Sequence, residues 1–193
     1  MKTTRLEAFS DGVIAILITI MVLELKTPEE ADWTALRAVG PIFLAYLLSF
    51  VFLGIYWNNH HHMIHMTHRV TGAILWANLH LLFWLSLVPF CTAWMGHSHA
   101  APLPTAFYGF VMTMAGTAYY ILKMSIIRSQ GANSPLQAAL GSDAKGKLSV
   151  MIYIVAMLVA FARPWMAAAL YVAVALIWLV PDPRIERRMQ EHV

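Results

Sequence analysis

Charged and uncharged positions alternate in long blocks along this chain. A charged lead holding Arg5, Glu7 and Asp11 gives way to twelve uncharged residues, Gly12 to Leu23, and the run closes on Glu24 and Lys26. Ala38 to Asn59 is a second block without Lys, Arg, Asp or Glu, and Val70 to Gly96 is a third, with Asn78 and His80 inside it and Pro89 near its end. Thr105 to Leu122 is a fourth, closed by Lys123, and the one long hydrophilic stretch follows, from Arg128 to Lys147. Leu148 to Ala162 makes a fifth block. Pro164, a residue suited to the first turn of a helix, opens a sixth that ends at Val180. Blocks of this length and apolarity predict membrane-crossing helices. The predicted fold is therefore all-α: an integral membrane protein of six transmembrane helices over residues 1–180, with a cytoplasmic tail over 181–193. Polar turns such as TPEEADW and GHSHAAPLP separate the helices.

Composition agrees. Of 193 residues, 60% are hydrophobic and 12% charged, about half the charged share of a soluble domain. A net charge of +3 is too small to suggest nucleic acid. The single cysteine, Cys91, forms no intrachain disulfide. The N-terminal run has the length of a signal-peptide core, yet Glu7 and Asp11 interrupt its basic flank and no Ala-x-Ala site follows, so cleavage is not expected. With six spans, ten basic residues fall on the side of the termini and three (Lys26, Arg37 and Arg163) on the other. That bias predicts cytoplasmic termini.

The first run carries the chemistry. Twelve helical residues rise about 18 Å against a hydrocarbon core of about 30 Å. Asp11 and Glu24 would then lie in or near the membrane, where ionisable groups face protein or water. At 100° per residue, Gly12, Ile16, Thr19 and Leu23 share a stripe about 60° wide with Ile20 at its edge, and Ser10 and Asp11 point away from it. Two readings follow. The stripe packs on a neighbouring helix while Asp11 caps the helix N-terminus; or it lines a pore, with rings of Ile and Leu as a dewetting constriction and Thr19 offering oxygen to a partly dehydrated ion.

Arg5-x-x-x-Phe9-Ser10-Asp11, followed by a short apolar helix ending Leu-Glu-Leu, resembles the signature of the transmembrane protein 175 family, the lysosomal potassium channels and their bacterial relatives. Trp57-x-x-His60-His61 and Asn78 are similar to that family's pattern as well. The resemblance implies a homotetramer in the cell membrane that passes potassium ions through a pore lined by first helices. It needs no catalytic residue, metal or cofactor. Pore-facing positions counted from the motif aspartate are Ile16, then Thr19 and Ile20, then Leu23. The motif residues Arg5, Phe9, Ser10 and Asp11, with Trp57, His60, His61 and Asn78, are implied to hold the first helix against its neighbours. His62, His65 and His68 enlarge the His-His element beyond the family pattern, and the resemblance assigns them no role. No Thr-Val-Gly-Tyr-Gly filter is present, so selectivity would rest on side-chain rings. One lining helix cannot enclose a channel, so several copies are required.

Other chemistry is open to the same residues. Asp11, Glu24 and the histidines would suit a proton or ion-coupled transporter. His61, His65 and His68 follow i, i+4, i+7 spacing, on which a metal or a pH sensor could be built. The cluster occurs once, with no carboxylate near it in the sequence, unlike the repeated boxes of membrane metalloenzymes. A non-conducting structural role is a further reading. Mid-span Asn78 and His80 need buried partners. The sequence offers Asp11 for either, or a backbone carbonyl for His80.

Overall fold

The computed structural model describes residues 3–67, 69–131, 134, 136–137 and 143–179. His68, the tail from residue 181 and the basic residues Lys2, Arg184, Arg187 and Arg188 lie outside the described residues. Among the described residues there are eight principal helices and no strand: α1 (Thr3–Leu23), α2 (Trp33–Ala38), α3 (Gly40–His65), α4 (Gly72–Ser86), α5 (Val88–His97), α6 (Pro102–Gln130), α7 (Ala144–Val159) and α8 (Pro164–Leu179). Four segments are long and apolar enough to cross a membrane: α1, α3, α4 together with α5, and α6. α8 is a shorter apolar helix.

Helix boundaries correct the sequence reading in three places. α1 has 21 residues, about 31 Å of rise, enough for the hydrocarbon core. Asp11 therefore lies inside α1 and does not cap it. The third block is two helices, because Pro89 enters the first turn of α5 and cannot continue the hydrogen bonding of α4. α6 runs on through Lys123 to Gln130. The polar turn after α1 also contains a short helix. Asp32 caps α2, its Oδ1 accepting from the Ala35 backbone N–H at 2.7 Å.

The body of the protomer is built on α6, which packs on α4, α5, α7 and α8, while α3 packs on α5 and α8. Two glycines permit the closest approaches. A Cβ on Gly109 would sit 2.2 Å from the Tyr171 hydroxyl, and one on Gly96 would sit 2.7 Å from the Ile42 Cα. Small residues at such crossings let helices meet where lipid supplies no hydrophobic driving force. Tyr171 uses the space at Gly109 to donate to the Thr105 carbonyl at 2.9 Å. α1 packs on α3, α4 and α5. It lies on one flank of the bundle.

Candidate functional site on the first helix

The buried residues of α1 are Leu6, Ser10, Ile14, Leu17 and Met21. At 100° per residue they span about 80°, centred roughly 150° from the stripe of Gly12, Ile16, Thr19 and Leu23. The stripe is left open. Ile16 is 57% exposed, Ile20 43% and Leu23 78%, and Gly12 and Thr19 are exposed too. Thr19 returns its hydroxyl to the Ile16 carbonyl at 2.9 Å. Within one protomer, then, no described residue covers the aliphatic face of the most motif-rich helix.

A polar chain fixes the opposite face. The His60 Nε2 lies 2.7 Å from the Asn78 Oδ1, and the Asn78 amide nitrogen donates to the Ser10 Oγ at 3.0 Å. Ser10 in turn donates to the Leu6 carbonyl at 2.9 Å. All three side chains are fully buried. The direction of donation is set throughout. Asn78 offers its oxygen to His60, so His60 donates from Nε2, and its buried Nδ1 is left as a bare acceptor without a partner among the described residues. The chain ties α1 to α4 and α4 to α3. It uses residues 18 and 68 positions apart, so sequence spacing gave no sign of it.

A second, more exposed layer joins α1 to α3. The Trp57 indole donates to the Asp11 Oδ1 at 3.0 Å. The Glu7 Oε1 lies 2.8 Å from the His61 Nδ1, and His61 stacks between Trp57 and His65, with ring centroids 6.2 and 6.0 Å away. Folding thus brings a carboxylate to the histidine cluster although none is near it in the sequence. His62 meets His61 edge-on at 5.5 Å. Among the described residues no three His, Cys, Asp or Glu side chains converge as metal ligands.

Of the predicted motif residues, Ser10, Asp11, Trp57, His60, His61 and Asn78 come together. Arg5 and Phe9 are exposed in the protomer and stand apart from both layers. Neither partner foreseen for His80 is used: its Nε2 accepts from the Trp84 indole on the next turn of α4, at 2.9 Å. Asp11 is engaged by Trp57, and Asn78 meets Ser10. Glu24 is exposed just beyond α1. The Glu7–His61 pair is half-exposed at its histidine and worth about 0.5 kcal/mol or less after solvent screening. Glu7→Gln should accordingly shift the thermal unfolding midpoint by no more than about 2 °C in detergent. A larger loss would assign this pair a weight its exposure does not support.

Residues 5–89 match the family model described as endosomal/lysosomal potassium channel TMEM175. A protein named potassium channel in Chryseobacterium sp. (strain P1-3) is 53% identical over 192 residues, covering 100% of both chains. The chain belongs to the TMEM175 family. The fold agrees: the crystal structure of a lysosomal potassium-selective channel TMEM175 homolog from Chamaesiphon minutus superimposes with a TM-score of 0.82 at 26% identity. That match covers 92% of this chain and 96% of that one. A human relative, named endosomal/lysosomal proton channel TMEM175, is 38% identical over 82 residues, which is 36% of this chain and 16% of that protein. The TMEM175 family and these named members are channels and not enzymes, and no cofactor is indicated. As a TMEM175 protein with several apolar helices, the chain is a multi-pass membrane protein.

Proposed function

We propose that this chain is the subunit of a homotetrameric, potassium-permeable cation channel of the cell membrane. Each subunit crosses six times, by α1, α3, α4 with α5, α6, α7 and α8. Residues 1–180 form the channel domain, and 181–193 form a cytoplasmic tail on the same side as the N-terminus. α7 and α8, with 16 residues each, rise about 24 Å and fall short of a full span. Shielding by α3 and α6 on their inner sides accommodates this.

One observation carries the reading. α1 buries one face through a fully buried polar chain and leaves the opposite aliphatic stripe exposed. Four such helices turned inward about one axis would place Ile16 and Leu23 as hydrophobic rings, with Thr19 and Ile20 between them. Ions would pass down their gradient, and the narrow rings would gate by dewetting. The polar layers on the back face would hold each α1 at the angle the rings require.

The names of the relatives support potassium as permeant. Recording single channels from the purified chain under opposed K⁺ and Na⁺ gradients tests this. Unitary steps reversing near the potassium potential are expected; saturating flux without steps would favour the ion-coupled transporter. Adding a proton gradient measures proton passage, which the human relative's name makes a relevant comparison.

Asp11→Ala removes the acceptor of the Trp57 indole. It should loosen the seat of α1 on α3 and shift purified material from tetramer toward smaller species by light scattering. An unchanged tetramer would count against a packing role for Asp11.

A further inference from the structure

Well away from the α1 stripe, a cavity of about 330 Å³ opens between α3, α6, α7 and α8. Phe52 and Tyr153 form its floor; both are buried, and their rings meet edge-on at 5.9 Å. Met151, Tyr120 and Lys147 stand at its mouth, all exposed, Met151 to 64%. The space therefore runs from the outer surface of the bundle to its core. Its volume lies within the usual range of small-molecule pockets, about 300–1,000 Å³. Filled with solvent it would take roughly ten waters at ~30 Å³ each, against aromatic and aliphatic walls that offer them few partners. Left empty, those walls lose the dispersion contacts that close packing supplies. In a bilayer the abundant apolar molecule of suitable width is an acyl chain.

Charge at the mouth narrows the choice. Asp143 is bonded to the buried Lys123 ammonium, which also lies 4.7 Å from the centre of the Tyr120 ring. That pair neutralises itself. Inside, the Ser149 hydroxyl is occupied by the Trp178 indole at 2.7 Å. Lys147 lies one helical turn beyond Asp143 on α7, and no carboxylate pairs with it among the described residues. One unbalanced cation thus stands where a headgroup would sit above an inserted tail.

We propose that this cavity binds one acyl chain of an anionic phospholipid, with the tail between α6 and α7 and the headgroup phosphate at Lys147. The lipid wedges the α7–α8 hairpin against α3 and α6. The site goes beyond the channel reading and stands whether or not the chain conducts.

The test uses the full chain in vesicles doped with phosphatidylglycerol carrying a photoactivatable diazirine in its acyl tail. Peptide mass spectrometry then locates the label. Label is expected on peptides containing residues 116–120 and 147–153, displaced by unlabelled phosphatidylglycerol and not by phosphatidylcholine or oleate. A lysine at the membrane surface contributes about 1 kcal/mol toward an anionic lipid, so Lys147→Glu should lower labelling about fivefold or more. Val150→Trp, which fills the cavity from α7, should abolish it; if that variant does not fold, Lys147→Glu alone decides. Equal displacement by phosphatidylcholine or by oleate would overturn the assignment. So would label found only elsewhere, or labelling unchanged in folded Lys147→Glu.

Discussion

Replacing Ile16 with asparagine should raise cation flux through reconstituted vesicles about tenfold, equivalent to lowering the barrier by about 1.4 kcal/mol, and should reduce discrimination of potassium over sodium. The physical reason lies in what a ring of isoleucines does to water. In the proposed tetramer, four branched aliphatic side chains at one level would exclude solvent, so an ion would have to shed hydration there without compensation. An amide at the same position supplies a carbonyl oxygen and an N–H, and keeps water in the constriction. In the protomer Ile16 is 57% exposed, so the substitution disturbs no internal packing and should leave expression and tetramer size unchanged. Leu17→Asn, one residue on but buried against the bundle, should act in the opposite manner: it should destabilise the protein without raising flux. A fluorescent flux assay with matched potassium and sodium gradients reads both. If Ile16→Asn leaves flux and selectivity unchanged, Ile16 is not in the pore.

The second large effect is expected at Asn78. Asn78→Leu leaves the Ser10 hydroxyl without its donor and the His60 Nε2 without its acceptor, each at a fully buried position. In water-soluble cores, orphaning a buried polar group costs about 1–3 kcal/mol. Inside membranes the measured interhelical bonds are weaker, at most about 1.7 kcal/mol. For two such bonds the loss is about 2 kcal/mol, a drop of roughly 4–8 °C in unfolding midpoint for a chain of this size. Ser10→Ala should cost less, because it leaves only the Asn78 amide short of one acceptor. Combining it with Asn78→Leu should cost little beyond Asn78→Leu alone, since both remove the same bond. Additive losses would mean that the two residues act separately, despite the 3.0 Å between them.

Legibility in the sequence followed the range of the interactions. The aliphatic stripe of α1 could be read from helical period alone, because it depends on a single helix. Pro164 marked the start of α8 for an equally local reason. Asp11 misled, since a Ser-Asp pair before an apolar run looks like a helix start; α1 in fact begins at Thr3 and carries Asp11 to its flank, where Trp57 waits. The His60–Asn78–Ser10 chain required three helices to be docked first. So did the Glu7–His61 pair, whose members are 54 positions apart (61 − 7). His80 found its partner only one turn away, at Trp84. That i, i+4 spacing lies within one helix and is legible from the sequence. The cavity behind Lys147 had no local signature, because its walls come from four helices.

Whether α1 helices meet about a common centre is tested most directly by single cysteines in α1. The one native thiol, Cys91, is buried and can be replaced by alanine first. In that background, Ile16→Cys and Leu23→Cys should each form disulfide-linked dimers when intact membranes are oxidised, and Leu17→Cys and Met21→Cys, on the buried face, should not. Absence of crosslinking at 16 and 23, with the protein folded and tetrameric, would place those side chains in lipid and contradict a pore lined by the first helix.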